Sequence, residues 1–195
     1  MNMDYQSIID KYYPVEGVEG RSDPQPPNLG GLSLRDILMV HSRQVADRCL
    51  LIAKKHPELR LDKEFLEEAA MLHDIGIYRT NAPGIQCFGT EPYIRHGIIG
   101  GEILRQEGWE RHARVCERHT GTGLTAWDIE QQQLPLPHED YMPEALEEQV
   151  VCYADKFYSK THPGSERTVV EAMRALEKFG WDGIKRFQKW VDLFE

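Results

Sequence analysis

Apolar positions along this chain recur every three or four residues, and no clear alternating run of β-branched residues interrupts them. That period belongs to amphipathic helices, so the pattern predicts an all-α bundle. Residues 4–13 form the first predicted helix, stopped by Pro14. The stretch PVEGVEGRSDPQPPNLGG at 14–31 is rich in Gly and Pro and reads as a loop or linker. Ser33 is placed as an N-cap with Asp36 behind it, and its helix runs to about Lys55, ahead of Pro57. Asp62 caps the next helix, whose buried side is Phe65, Leu66, Ala69, Ala70 and Leu72, with Gly76 as a left-handed stop. After a loop over 77–92 come helices through RHGIIGGEILRQEG and over about 109–120. Gly100 and Gly101 predict close approach of a neighbouring helix. A short helix at 125–134, capped by Thr125 and Asp128, precedes a longer one from Pro143 to about Tyr158. Two amphipathic helices, 165–179 and 182–194, finish the chain, with Val169, Met173, Leu176, Ile184, Phe187 and Val191 on their inner faces. The expected organisation is an N-terminal helix and Gly/Pro-rich loop over 1–31, then one helical domain over 32–195.

Several polar residues fall where this pattern asks for apolar ones. His41 lies on the face of Leu34 and Val45, His73 on that of Leu66 and Ala69, and Asp74 follows at the helix end. His96 shares a face with Ile99 and Ile103, His119 with Cys116, and Asp155 with Val151. Singly, each has an ordinary explanation, such as a helix cap or a solvated pair. Burying one unpartnered neutral polar group costs roughly 2–7 kcal/mol, so six are tolerable only if they satisfy one another. A metal centre does that. Imidazoles and carboxylates suit iron, manganese or zinc. Successive helical residues point about 100° apart. His73 and Asp74 therefore serve two neighbouring ions more easily than one, with Asp74 bridging. His112, seven residues before His119, reads as a core residue or a partner behind a ligand, and His56, His138 and His162 as structural or solvent-facing.

Composition narrows the function classes. The 195-residue chain is 41% hydrophobic, enough for a real core, with no long uncharged apolar stretch and no secretory signal pattern at its start. Cys49, Cys87, Cys116 and Cys152 form no Cys-x-x-Cys pair and read as reduced cysteines of a cytoplasmic protein. A formal net charge of −9 argues against a binder of nucleic-acid backbone. It does not oppose a small anionic substrate, because metal cations dominate the field where they bind.

The segments MVHSRQVA, AAMLHDIGI, IRHGIIGGEIL, CERHTGTGLT and VCYADKFYSK, spread from residue 39 to 160, resemble five successive motifs of the HD-domain superfamily of metal-dependent phosphohydrolases. The resemblance implies a single-domain helical bundle with the metal site in its core. By motif match, His41, His73, Asp74 and Asp155 are the basic ligand set, and His96 and His119 the two further histidines of binuclear members. The six-ligand order resembles the YqeK-like dinucleoside polyphosphate hydrolases and, more distantly, the HD-GYP cyclic-dinucleotide phosphodiesterases. Those groups commonly read His-Asp-x-x-Lys, with the lysine helping to hold phosphate. Ile77 stands there in this chain. The same six ligand types also resemble those of di-iron oxygenases of this fold.

The resulting expectation is hydrolysis of a phosphoester or phosphoanhydride of a small phosphorylated molecule, a nucleotide, by water activated at two divalent ions. Iron or manganese is expected, with zinc or magnesium as alternatives. Asp74 and Asp155 are the expected catalytic residues, bridging the ions and taking a proton. Arg79, Arg118, Lys156 and Lys160 are the candidate phosphate-binding cations, and the loop from Tyr78 to Pro92 is placed to roof the site. The rivals are a di-iron oxygenase acting on a small polar substrate and a non-catalytic nucleotide sensor.

Overall fold

The computed structural model describes residues 4–14, 31–177 and 180–195, so most of the Gly/Pro-rich stretch expected as a linker lies outside the described residues. Among them run nine α-helices: α1 (Tyr5–Tyr12), α2 (Leu34–Lys55), α3 (Lys63–Leu72), α4 (His96–Gln106), α5 (Glu110–Arg118), α6 (Ala126–Gln131), α7 (Leu146–Asp155), α8 (Val169–Leu176) and α9 (Trp181–Phe194). The fold is all-α. A two-residue ladder, β1 (Asn81–Ala82) against β2 (Cys87–Phe88), pairs Asn81 with Phe88 and Ala82 with Cys87. No helix among the described residues is long and apolar enough to cross a membrane.

The helix starts follow their caps. The Ser33 side chain accepts from the Asp36 N–H while the Asp36 carboxylate accepts from the Ser33 N–H, and Thr125 with Asp128 and Thr168 with Glu171 repeat that reciprocal bond. Asp62 caps α3 through the Phe65 N–H. Helix α7 starts at Leu146, three residues beyond the expected Pro143, where the Glu148 carboxylate accepts from the Glu144 and Ala145 N–H groups.

Helices α2, α3, α5 and α7 pack around one core of fully buried residues such as Leu38, Leu66, Met71 and Tyr153. Helix α1 belongs to that core: Ile8 and Ile9 are buried in it, and Tyr13 OH donates to Ile75 O at 2.9 Å. Of the inner-face residues expected in the last two helices, Leu176 and Phe187 are buried, and Val169, Met173, Ile184 and Val191 pack half-buried against the core.

Two glycines set the distances near the polar cluster. Gly100 faces the Cys116 side chain, which lets α4 lie close along α5. Gly76 is not the left-handed stop expected of it: its φ is −84°, in the right-handed region. A methyl group there would collide with the backbone of His96 and Gly100. Its smallness, rather than its conformational freedom, lets the His73–Asp74 turn press against the start of α4.

Candidate metal centre

Five segments carry six polar side chains to one point. His41 lies within α2, His73 and Asp74 just past the end of α3, His96 at the first position of α4, His119 just past α5, and Asp155 at the last position of α7. His73 and Asp74 are wholly buried, and His41, His96 and His119 nearly so. The Asp155 side chain is 13% exposed, at the wall of a cavity.

Hydrogen bonds behind the histidines decide which nitrogen faces inward. His73 Nδ1 donates to Ala70 O at 2.6 Å, His96 Nδ1 to Tyr93 O at 2.7 Å, and His119 Nδ1 to Cys116 O at 2.7 Å. A carbonyl only accepts, so each Nδ1 carries the proton, and Nε2 is left as the donor atom toward the cluster. His41 also points its Nε2 inward, 3.3 Å from His73 Nε2.

Asp74 stands between two groups of these atoms. Its Oδ2 lies 3.2 Å from His41 Nε2 and 3.0 Å from His73 Nε2, while its Oδ1 lies 3.6 Å from His96 Nε2 and 3.5 Å from His119 Nε2. Asp155 Oδ1 joins the first group, 3.0 Å from His41 Nε2 and 3.5 Å from His73 Nε2. Two donor sets result: His41, His73, Asp74 and Asp155, and Asp74, His96 and His119.

Both sets fit a cation. His96 Nε2 and His119 Nε2 are 3.0 Å apart while both Nδ1 protons are committed elsewhere. Two facing lone pairs at that distance repel unless positive charge lies between them. Burial opposes a proton on His96, the neighbouring His119 adds to that, and its pKa is pushed down to about 3. Burial likewise holds His119 below the ordinary range. At His73 burial also opposes protonation, but the adjoining Asp74 and Asp155 outweigh it and raise the pKa to about 9. Burial disfavours charge on both carboxylates, yet His73 and Lys160 hold Asp74 well below the carboxylate range, and Lys156 and His41 do the same for Asp155.

A cavity of about 450 Å³ opens beside this cluster. His96, His119 and Asp155 form its inner wall, and Ala82, Gly84 and Ile85, from the loop expected to roof the site, form part of its cover. Lys156 and Lys160 both line it. Lys156 Nζ donates to His119 O at 2.8 Å and to Asp155 Oδ2 at 2.7 Å, and Lys160 Nζ pairs with Asp74 Oδ2 at 2.5 Å. The other two expected cations lie elsewhere. Arg79 is exposed, its Nε donating to Tyr78 OH and its guanidinium over that ring. Arg118 is drawn to Glu144 at 2.8 Å and to Met142 O at 2.9 Å, bracing α5 against the approach to α7. His112 stays out of the cluster, packed on Trp109 and Phe65 with Nε2 3.1 Å from Glu68.

Two lining residues escaped sequence reasoning. Tyr93 stacks on His96, its ring centroid 4.7 Å away, and the only signal was its place three residues before that histidine. Arg167 enters the cavity wall from beyond α7, and only its position ahead of the Thr168–Glu171 cap marked it.

Fold and donor sets together define a helical protein whose buried His/Asp cluster, able to hold metal, opens into a cavity lined by Lys156, Lys160 and Arg167. The HD domain family model matches residues 38–159, and the chain belongs to the HD-domain family of metal-dependent phosphohydrolases. An uncharacterized protein of Methanocaldococcus jannaschii is 34% identical over 158 residues, covering 76% of this chain and 78% of that protein. The tRNA (cytidine(56)-2'-O)-methyltransferases of Picrophilus torridus and Thermoplasma volcanium are 36% and 34% identical over 178 and 125 residues. Those matches cover 78% and 64% of this chain, but it spans only 46% and 32% of the two enzymes. Among solved structures, the HD domain of the L. monocytogenes phosphodiesterase PgpH is similar with a TM-score of 0.47 and 17% identity, over 78% of this chain and 88% of that one.

Proposed function

We propose that this protein hydrolyses a phosphoester or phosphoanhydride of a small phosphorylated molecule, a nucleotide, with two divalent ions held by His41, His73, Asp74, His96, His119 and Asp155. The observation that carries this reading is the division of Asp74, one oxygen toward each donor set. Iron or manganese fits the mixed imidazole–carboxylate donors. Such ions supply Lewis acidity toward phosphoryl oxygens and make a bound water acidic enough to attack near neutral pH.

The chain's own residues do the rest. Asp74 fixes the spacing of the two donor sets. Asp155, at the cavity wall, is placed to accept the proton of the attacking water. Lys156 and Lys160 supply positive charge where a phosphate enters, and the cover formed by Ala82, Gly84 and Ile85 limits water. A cavity of about 450 Å³ suits a molecule of nucleotide size. Methyl transfer is not carried over from the tRNA methyltransferases, because the chain spans less than half of each and its net charge of −9 does not suit an RNA backbone.

Elemental analysis of protein purified without added metal tests the centre, with two ions per chain expected. His73→Ala is expected to lose metal and phosphoesterase activity together, and a variant that keeps both sinks the assignment. Oxygen uptake by the iron-loaded protein, with no turnover of any phosphoester, decides for the oxygenase. Saturable nucleotide binding with no product over hours decides for the sensor.

A further inference from the structure

The cavity is a cationic island in an acidic chain. Three of its lining residues are Lys156, Lys160 and Arg167, and among the described residues that line it the single carboxylate is Asp155, whereas the whole chain carries 32 acidic residues against 23 basic ones. Lys156 and Lys160 are already engaged with Asp155 and Asp74. Arg167 is not. Its Nη1 donates to Lys156 O at 3.2 Å and Tyr158 O at 3.5 Å, and although Glu171 feels its charge, no carboxylate among the described residues pairs directly with it. A guanidinium pinned at one nitrogen keeps its remaining donors in a fixed plane, which suits an anionic group.

The chain folds back to put it there. Tyr158 and Glu166 form an antiparallel bridge, and the Arg167 N–H donates to Phe157 O at 2.7 Å, so Arg167 returns to the end of α7 that bears Asp155. Helix α8 begins one residue after the Thr168 cap. Its residues Ala172, Ala175 and Leu176 lie three and four positions apart on one face and form an apolar wall of the same cavity. Small side chains at 172 and 175 leave room there. The segment 167–176 thus joins an anion donor to an apolar wall, and it lies wholly beyond residues 38–159 that match the HD domain.

We infer that residues 167–176 are the specificity element of this site, selecting a small phosphorylated molecule with a compact apolar or aromatic group: Arg167 holds its phosphate, and Ala172, Ala175 and Leu176 seat the rest. The inference rests on the phosphohydrolase reading and deepens it.

The test uses the full chain loaded with manganese, with metal content measured for every variant. Arg167→Gln removes a charge-assisted hydrogen bond and is expected to weaken binding of inorganic phosphate, read by calorimetry, about tenfold. KM for phenyl phosphate rises by a similar factor while kcat stays within about threefold, and Arg167→Lys restores part of the loss. Ala175→Phe is expected to raise KM for phenyl phosphate about tenfold and leave that for glycerol phosphate within about twofold. Unchanged phosphate affinity in Arg167→Gln at full metal content overturns the anion role, and so does wild-type protein that binds no phosphate. Equal effects of Ala175→Phe on both substrates overturn the apolar wall. If Arg167→Gln fails to fold, Arg167→Lys and Ala175→Phe still decide. If the wild type binds phosphate, responds to Arg167→Gln as expected and cleaves neither ester, the hydrolase reading fails while the anion role stands.

Discussion

The two donor sets share Asp74 and differ in almost everything else. His41, His73, Asp74 Oδ2 and Asp155 Oδ1 bring two carboxylates to one point, and this concentration of negative charge raises His73 to about 9 against the cost of burial. His96, His119 and Asp74 Oδ1 bring one carboxylate oxygen, and burial pushes His96 down to about 3. The first set demands positive charge even without a metal. The second disfavours protons on its imidazoles, whose Nε2 atoms face each other at 3.0 Å. More anionic ligands hold a divalent cation more tightly, so the first set is expected to fill first. The second set places His96 and His119 on the cavity wall, where the first places only Asp155.

Asp74→Asn strikes the residue the two sets share and is expected to have the largest effect. Both ions are lost, and with them several kcal/mol of transition-state stabilisation, so phosphoesterase activity falls about a thousandfold or more. Elemental analysis beside the rate checks this, and a variant that retains two ions breaks the shared-ligand picture. His96→Ala separates the sets. One ion per chain is expected to remain at His41, His73, Asp74 and Asp155, with activity reduced about a hundredfold. Loss of both ions in that variant would mean that the first set does not hold its ion more tightly than the second. Metal removal comes next in size. An ion present at about a hundred times its Kd stabilises the fold by about 2.7 kcal/mol, so a chelator is expected to lower Tm by about 5–10 °C. A thermal scan with and without chelator measures it, and an unchanged Tm in the parent protein would mean that the centre holds no metal.

The cluster of six side chains was legible in the sequence because a polar residue on an apolar helical face needs a partner, and five segments supplied partners to one another. His41 and His119 could be read this way from periodicity alone. What periodicity could not show was which carboxylate oxygen faces which histidine, since that depends on Gly76 letting the turn press against α4. The position of Gly76 was read correctly and its reason was not: inside a helix, as at Gly100, a glycine signals close approach, whereas at a helix end the same residue reads as a left-handed stop. The cations were the least legible. Arg79 and Lys160 look alike as solvated side chains in a sequence, and only the chain's path sends Lys160 to Asp74 while Arg79 lies over Tyr78. Arg167 was marked only by the cap that follows it, because the turn that returns it rests on the backbone bridge between Tyr158 and Glu166.

The smallest expected effect concerns a histidine outside both sets, and it isolates burial from ligand chemistry. His112 packs among Trp109, Phe65 and Glu68, with Arg111 and Asp62 near it. Burial, helped by Arg111 and opposed by Asp62, lowers its pKa to about 4. Its folded value lies below the unfolded value of about 6.5. Between the two, the unfolded chain binds a proton that the folded one refuses, so stability falls as pH drops from about 6.5 to about 4. Its partial exposure to solvent screens the effect, leaving about 1–2 kcal/mol. His112→Gln is expected to lose less stability than the parent by that amount between pH 7 and pH 5, measured by urea unfolding of metal-free protein, in which His96 contributes equally to both. If the two slopes coincide, burial alone does not depress a histidine in this bundle. The low value at His96 would then be due to His119 facing it across 3.0 Å.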